Sequence, residues 1–231
     1  GMQRMRMMVV FEKGPDLRYI GHLDLMRAMQ RALRRSDLPI KYSNGFNPHI
    51  RLSFAAPLSV GVVGLREMME VPVEDGLTED EFVSRMNAVL PGCLRICQCR
   101  AVDDAFPALM ALMAGSDYRI TFPKTQESQK AAAAFDRFMA LDSYIAQRRT
   151  KSGDNPCDIR PFVLSGGCTE QEGGYAITLR TVMTKAGALK PALWLKCLCE
   201  FADCGDFPHM IYRTAVLARN DEGDLVPMET V

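Results

Sequence analysis

Neither sign of charge dominates this chain: 28 lysines and arginines stand against 28 aspartates and glutamates, giving no formal net charge over 231 residues. That balance excludes a global field able to gather polyanions or cations, so any nucleic-acid role has to come from a local basic patch. Apolar runs long enough to cross a bilayer are also missing. The chain does not open on a charged segment, an apolar core and a small-residue cleavage site. A soluble, cytoplasmic protein with no membrane association is therefore expected. Catalytic signatures are equally scarce, with no phosphate loop, no Ser-His-Asp order and no HxxxH metal pair.

Cysteine is not scarce, but its spacing is uninformative. Cys93, Cys97 and Cys99 miss the CxxxCxxC iron–sulfur pattern by one residue, because Arg100 stands where the third cysteine belongs. Cys197, Cys199 and Cys204 lack the paired CxxC geometry of zinc sites. Together with Cys157 and Cys168 they read as buried apolar thiols. No metal and no cofactor are expected.

What is present is a sequence of alternating element signals. Met5 to Glu12 is an apolar run of strand length ending at Gly14-Pro15. In HLDLMRAMQRALRRSD the apolar Leu23, Met26, Met29 and Leu33 recur at helical spacing, with Arg27, Arg31, Arg34 and Arg35 on the opposite side. A short strand at Pro39 to Tyr42 and an extended Glu67 to Val73 follow. Thr78 with Glu81 forms a capping-box signature for a helix through Val89, and Leu94 to Val102 reads as a strand. This order is the split βαβ pattern.

The second half repeats it. Strands are expected at Tyr118 to Phe122 and Ser143 to Gln147, and a hairpin of Ile159 to Leu164 with Tyr175 to Thr184, interrupted by the glycine-rich SGGCTEQEGG. Helices are expected over Gln126 to Leu141 and Lys190 to Phe201, with a last strand at Ile211 to Arg219. The expectation is an α+β protein of two ferredoxin-like subdomains, residues 2–115 and 116–231, with antiparallel or mixed sheets and helices on one face.

Between the first helix and the next strand lies YSNGFNPHIRLSFAAPLSVG, Tyr42 to Gly61. Asn44-Gly45 and Asn47-Pro48 bend the backbone twice within a few residues. Such a loop can aim amides, His49, Arg51 and Ser53 at an anion or a base edge. The residues by themselves read more simply as a long β-connection whose Phe46 and Phe54 plug the core and whose His49 caps a carbonyl.

The pair YIGHLDLMRAMQRALRRSDLPI (Tyr19 to Ile40) and YSNGFNPHIRLSFAAPLSVG closely resembles the signature of the radical-SAM-linked family, a domain of unknown function. RRTKSGDNPCDIRPFV, the Lys190-Pro191 helix start and IYRTAVL extend the resemblance along essentially the whole chain. Members of that family are C-terminal domains fused to radical SAM proteins, or separate chains encoded beside one, often near RNA-processing and ribosomal genes. The resemblance implies a separately encoded radical SAM partner, since this sequence carries no such module.

Three functions fit these residues. The first is an accessory RNA-binding or substrate-positioning module, its RNA of the tRNA or rRNA kind. Its site would comprise Arg27, Arg31, Arg34, Tyr42, Asn44, Phe46, Asn47, His49, Arg51 and Ser53, with a secondary basic patch of Arg148, Arg149, Lys151 and Arg160. The alternative is a protein–protein scaffold without RNA, using the methionine-rich Met5 to Met8 and Met110 to Met113 as adaptable contacts. An independent enzyme would have to use His22, Asp24 and His49, although a helix start alone accounts for His22 and Asp24.

Overall fold

A computed structural model describes residues 5–231. The protein mixes helices and sheet, and its chain contacts form two units: residues up to Ala114 together with Arg213–Val231, and Gly115–Tyr212. Every register considered below is antiparallel.

In the first unit the chain runs β1 (Met5–Lys13), α1 (His22–Arg35), β2 (Ser53–Phe54), β3 (Val62–Val73), α2 (Glu79–Val89), β4 (Leu94–Val102) and a single helical turn, α3 (Leu109–Leu112). β1 lies between β4 and β3, and β2 adds to β3 through Ser53 opposite Glu70 and Phe54 opposite Met69. The apolar run of β1 is buried on both faces, as its lack of alternation requires. Met7, Val9 and Phe11 join Leu25, Met29, Leu33, Phe82 and Met86 from α1 and α2. Met8 and Val10, pointing the other way, pack with Met68, Leu109 and Met228. The helices α1 and α2 thus cover one face, while α3 and the chain's last residues close the other.

The first helix turns its expected face by a fraction of a turn. Leu25, Met29, Ala32 and Leu33 are its buried residues, while Leu23 is 64 % exposed and Met26 half-buried. Leu23 sits in the first turn, where helical spacing alone does not guarantee a packing partner. The capping signature of α2 is met on one side: Thr78 Oγ1 accepts the Glu81 backbone N–H at 3.2 Å.

The second unit runs β5 (Gly115–Pro123), α4 (Gln126–Met139), β6 (Ile145–Thr150), β7 (Gly153–Asp158), β8 (Val163–Gln171), β9 (Gly174–Val182) and α5 (Pro191–Ala202). β9 lies between β5 and β8, whereas β6 and β7 form their own two-stranded hairpin. Thr125 and Ser128 close a reciprocal capping box at the start of α4. Phe135 and Phe138 pack edge-on against Trp194 of α5, centroids 6.1 and 5.8 Å apart.

Two expectations fail here. The glycine-rich SGGCTEQ is strand rather than interruption, and only Glu172-Gly173 turns, with Gly173 at φ +77°. Gly166 is required because a Cβ there would lie 2.6 Å from the Thr178 carbonyl across the ladder. Ile159 to Leu164 is mainly a 3-10 turn over Arg160–Phe162, where Pro161 removes a ladder donor.

The chain ends with β10 (Met210–Arg219) and β11 (Leu225–Pro227), which pair through Leu217 opposite Pro227. Residues 213–231 count with the first unit. There Arg213 donates from Nε and Nη2 to the two carboxylate oxygens of Glu67, at 2.8 and 2.5 Å, both side chains being 4 % exposed. Lys13, also buried, donates from Nζ to the Ile20 carbonyl at 3.1 Å.

Candidate nucleic-acid interface

The loop between α1 and β3 is built from local bonds. Tyr42 pairs with Ile50 as an isolated bridge, and the Ser43 backbone N–H donates to the His49 carbonyl at 2.9 Å. Ser43 Oγ accepts the His49 N–H at 3.0 Å and lies 2.8 Å from His49 Nδ1. Gly45, at φ +117°, takes the turn that a side chain would resist. The result is a clasped protrusion whose residues from Asn44 to His49 are all exposed.

Phe46 sits in that protrusion fully exposed to solvent, and Tyr42 at its base is 46 % exposed. The plugging role is therefore filled by Phe54 alone, buried against Phe11 with ring centroids 5.6 Å apart. The two phenylalanines flank the Asn47-Pro48 bend, which leaves Phe46 in the protrusion and returns Phe54 to the sheet as part of β2.

One hydrogen bond ties this loop to the helix: Gln30 Nε2 donates to the Ile50 carbonyl at 3.3 Å. At about 100° per residue, Arg34, Arg27 and Arg31 lie roughly 40°, 60° and 100° around the helix from Gln30. The exposed basic stripe therefore begins beside the contact with the loop. Arg27 donates to Asp24 at 3.2 Å, an exposed pair, while Arg35 turns away to the Val89 carbonyl at 2.9 Å.

Two grooves flank Arg51, each of about 410 Å³. One is lined by Met26, Gln30, His49, Ile50, Leu52 and Ser53, the other by Lys41, Tyr42, Asn44, Glu74 and Asp104, with Arg6 and Pro72 shared. Arg6 forms part of the common floor. It donates to Glu70 Oε2 at 2.8 Å and to the Asp103 and Phe106 carbonyls, and Glu70 also accepts the Leu109 N–H at 3.0 Å. Ser53 Oγ reaches Glu70 Oε1 at 3.4 Å. Arg6 and Glu70 are thus committed to the structure, and Arg51 is the exposed cation between the grooves.

Tyr42, Asn44, His49, Arg51 and Ser53 line the grooves, while Phe46 and Asn47 stand in the exposed protrusion above them. Sequence reasoning missed Ser43, Gln30, Glu74 and Asp104. The i, i+6 relation of Ser43 and His49 across two turn signals was a usable hint for the clasp. Nothing local marks the two carboxylates.

The second basic patch divides. Arg148 donates to the Ala186 and Ala188 carbonyls at 2.6 and 3.0 Å, and Arg160 to Leu141 and Val163 at 3.1 and 2.6 Å. These guanidiniums brace the second unit. Arg149 and Lys151 remain exposed around the β6–β7 turn.

Of the three residues that an independent enzyme would use, His49 is exposed and lines a groove, and the other two have neighbours of their own. His22 meets Phe54 edge-on, ring centroids 5.2 Å apart, and Asp24 holds Arg27. All eight cysteines are free thiols, but only Cys197 is buried; the rest are half-buried, a correction to the core reading. Burial, with Glu79 and Asp80 beside it, pushes the Cys99 thiol up to about 12. Burial and the neighbouring Cys204 push Cys199 to about 12 as well. Such thiols resist forming the thiolate that binds metal or attacks an electrophile. Among the described residues no group of three or more His, Cys, Asp or Glu side chains is arranged to hold a metal, and no helix is long and apolar enough to cross a membrane.

Residues 6–191 match the profile of a family described as "Uncharacterized protein conserved in bacteria (DUF2344)". No curated protein matches the chain. Among solved structures, the "Crystal Structure of an Unknown Protein from Galdieria sulphuraria" is similar over 91 % of this chain and 96 % of that one, at 11 % identity. Its TM-score of 0.25 is too low to carry an argument about fold or function.

Proposed function

The chain belongs to that family of uncharacterized proteins conserved in bacteria, and we propose that it is an accessory module that binds RNA and positions it for a separately encoded radical SAM enzyme. The observation that carries this reading is the Gln30–Ile50 hydrogen bond, which sets the Arg27, Arg31 and Arg34 stripe beside a loop presenting an exposed Phe46, Tyr42, His49 and Arg51. Arginines neutralise phosphates, and solvent-facing aromatic rings stack unpaired bases. The loop is held by the Ser43–His49 and Tyr42–Ile50 backbone pairings, and Arg31, Arg34 and Phe46 stand exposed beside it.

The radical SAM partner follows from the sequence resemblance, and the residues of this sequence contain no CxxxCxxC run of their own. A ferredoxin-like reading of the first unit is supported by its order β4-β1-β3-β2, with α1 after β1 and α2 after β3. In the second unit β5-β9-β8, with α4 after β5 and α5 after β9, supports the same reading once the β6–β7 hairpin is set aside.

A scaffold reading is favoured by one separate feature: Tyr19, Leu23 and Val60 are 67, 64 and 61 % exposed. The two readings separate cleanly by experiment. RNA binding is measured by fluorescence anisotropy at several salt concentrations, for the parent and for an Arg31→Glu/His49→Ala variant. We expect affinity to fall as salt rises, with the slope flattened by about one unit per phosphate contact removed. Salt-independent binding, or a variant that binds as the parent does, would discard the RNA reading in favour of the scaffold.

A further inference from the structure

The grooves on either side of Arg51 differ in a way that bears on which RNA is held. The groove beside Tyr42 carries two carboxylates, Glu74 and Asp104, together with Lys41, Asn44 and the Tyr42 ring. Both acidic residues are exposed, and among the described residues neither is joined to a cation in an ion pair. Lys41 and Arg51 line the same groove, so it presents both signs of charge and is not a purely cationic phosphate site. A base edge that donates hydrogen bonds finds acceptors there.

From this we infer that the Tyr42 groove is a nucleobase pocket selecting bases with an exocyclic amino group, cytosine, adenine or guanine, over uracil, from a single-stranded segment. The inference rests on the RNA-binding reading above and refines it. Glu74 and Asp104 accept from the amino group, as carboxylates accept from the cytosine N4 amine. Uracil lacks an amino group and offers a single N3–H donor flanked by two carbonyls, so it serves the two carboxylates less well and sets a carbonyl against one of them. Tyr42 supplies a face for stacking and Asn44 a side-chain amide that can donate to a ring nitrogen or carbonyl.

Charge sorts the rest of the strand. Arg51 lines both grooves, Gln30 and His49 line only the one without the two acids, and Arg34 and Arg31 lie within about 100° of Gln30 around the helix. The phosphate chain therefore runs over the cations while the base drops between Tyr42 and the two acids. In an A-form RNA duplex the cytosine and adenine amino groups face a deep, narrow major groove that side chains cannot reach, whereas an unpaired base offers its whole Watson–Crick edge. Single-stranded RNA follows from the same geometry.

The test uses the whole protein with fluorescein-labelled short oligo(C) and oligo(U), two weakly stacking pyrimidines that differ at the position in question. Both are measured at one fixed salt concentration. The parent is expected to prefer oligo(C) by about tenfold, the scale of one well-placed base contact. In Glu74→Ala/Asp104→Ala the preference should vanish, with oligo(U) binding as well as or better than before because two negative charges are gone. Both positions are exposed, and circular dichroism will verify that the double variant is folded. Tyr42→Ala should weaken oligo(C) more than oligo(U). Equal binding of the two oligonucleotides by the parent, or a preference that survives the double substitution, overturns this inference and leaves RNA binding standing. Binding of neither overturns both.

Discussion

Replacing Glu67 by alanine removes the carboxylate to which Arg213 makes two hydrogen bonds, at 2.8 and 2.5 Å, where both side chains are 4 % exposed. The same substitution deprives buried Lys13 of the anion that offsets its desolvation. Burial already lowers the Lys13 pKa from its ordinary 10.5, Glu67 opposes that shift and Arg213 adds to it. Two cations are then left in the interior of the first unit without their shared carboxylate. Breaking a buried pair this way costs about 3–5 kcal/mol, a large part of the 5–15 kcal/mol that holds a typical domain. With a urea slope of about 2 kcal/mol per molar, the unfolding midpoint should fall by about 2 M. The pH dependence gives a second signature. A lysine whose folded pKa lies below its unfolded value binds more protons when unfolded, so stability rises with pH between the two values. The deficit of Glu67→Ala should therefore shrink as pH approaches 10.5. Substituting Lys13, Glu67 and Arg213 together by methionine, which removes every charge of the cluster, should cost far less than Glu67→Ala alone. A midpoint shift below about 0.5 M for Glu67→Ala, or a triple variant less stable than the single one, would refute the reasoning.

Other consequences are simpler to state. Thr78→Ala removes the acceptor for the Glu81 N–H and should cost about 1 kcal/mol in urea unfolding, with Thr78→Ser restoring most of it. Gly115→Ala would place a Cβ 2.2 Å from the Thr181 carbonyl in the β5–β9 ladder. It should destabilise the second unit, which can be followed through the fluorescence of Trp194, the chain's single tryptophan. Cys99 keeps its proton to about pH 12 in the folded chain against 9.0 ordinarily, so the stability it contributes is complete below pH 9 and is lost as pH rises toward 12. Melting curves from pH 7 upward should therefore show alkaline destabilisation that is smaller in Cys99→Ala.

Much of the fold could be read because its signals are short-range. Strand β4 was expected at its observed ends, and the start of α2 followed from Thr78 and Glu81, three residues apart. The errors have physical causes of a different range. Leu23 looked like core because helical spacing weighs side-chain type, while the helix buries Ala32, which carries little apolar signal of its own. The glycines of SGGCTEQ looked like a loop because their reason for being glycine is a carbonyl on the opposite strand, that of Thr178.

The same division of range runs through the candidate site. The loop was recognisable as a loop because Asn44-Gly45 and Asn47-Pro48 act on their own backbone, and its clasp from Ser43 to His49 spans only six residues. What makes the grooves is long-range. Arg6 reaches Glu70 across 64 positions and Phe106 across 100, and these contacts tie the Asp103–Pro107 turn to the paired strands β1 and β3. Asp104, which lines the groove with Tyr42, belongs to the turn that Arg6 holds through the Asp103 and Phe106 carbonyls. The cations of the site could thus be guessed from one helix and one loop, whereas the carboxylates that would tell one base from another could not. A variant that frees the turn without touching the loop, Arg6→Met, should consequently blunt the oligo(C) preference more than it weakens oligo(U) binding. Equal loss for both oligonucleotides would mean that Arg6 acts on the phosphate-binding surface and that the placement of Asp104 has no part in selection.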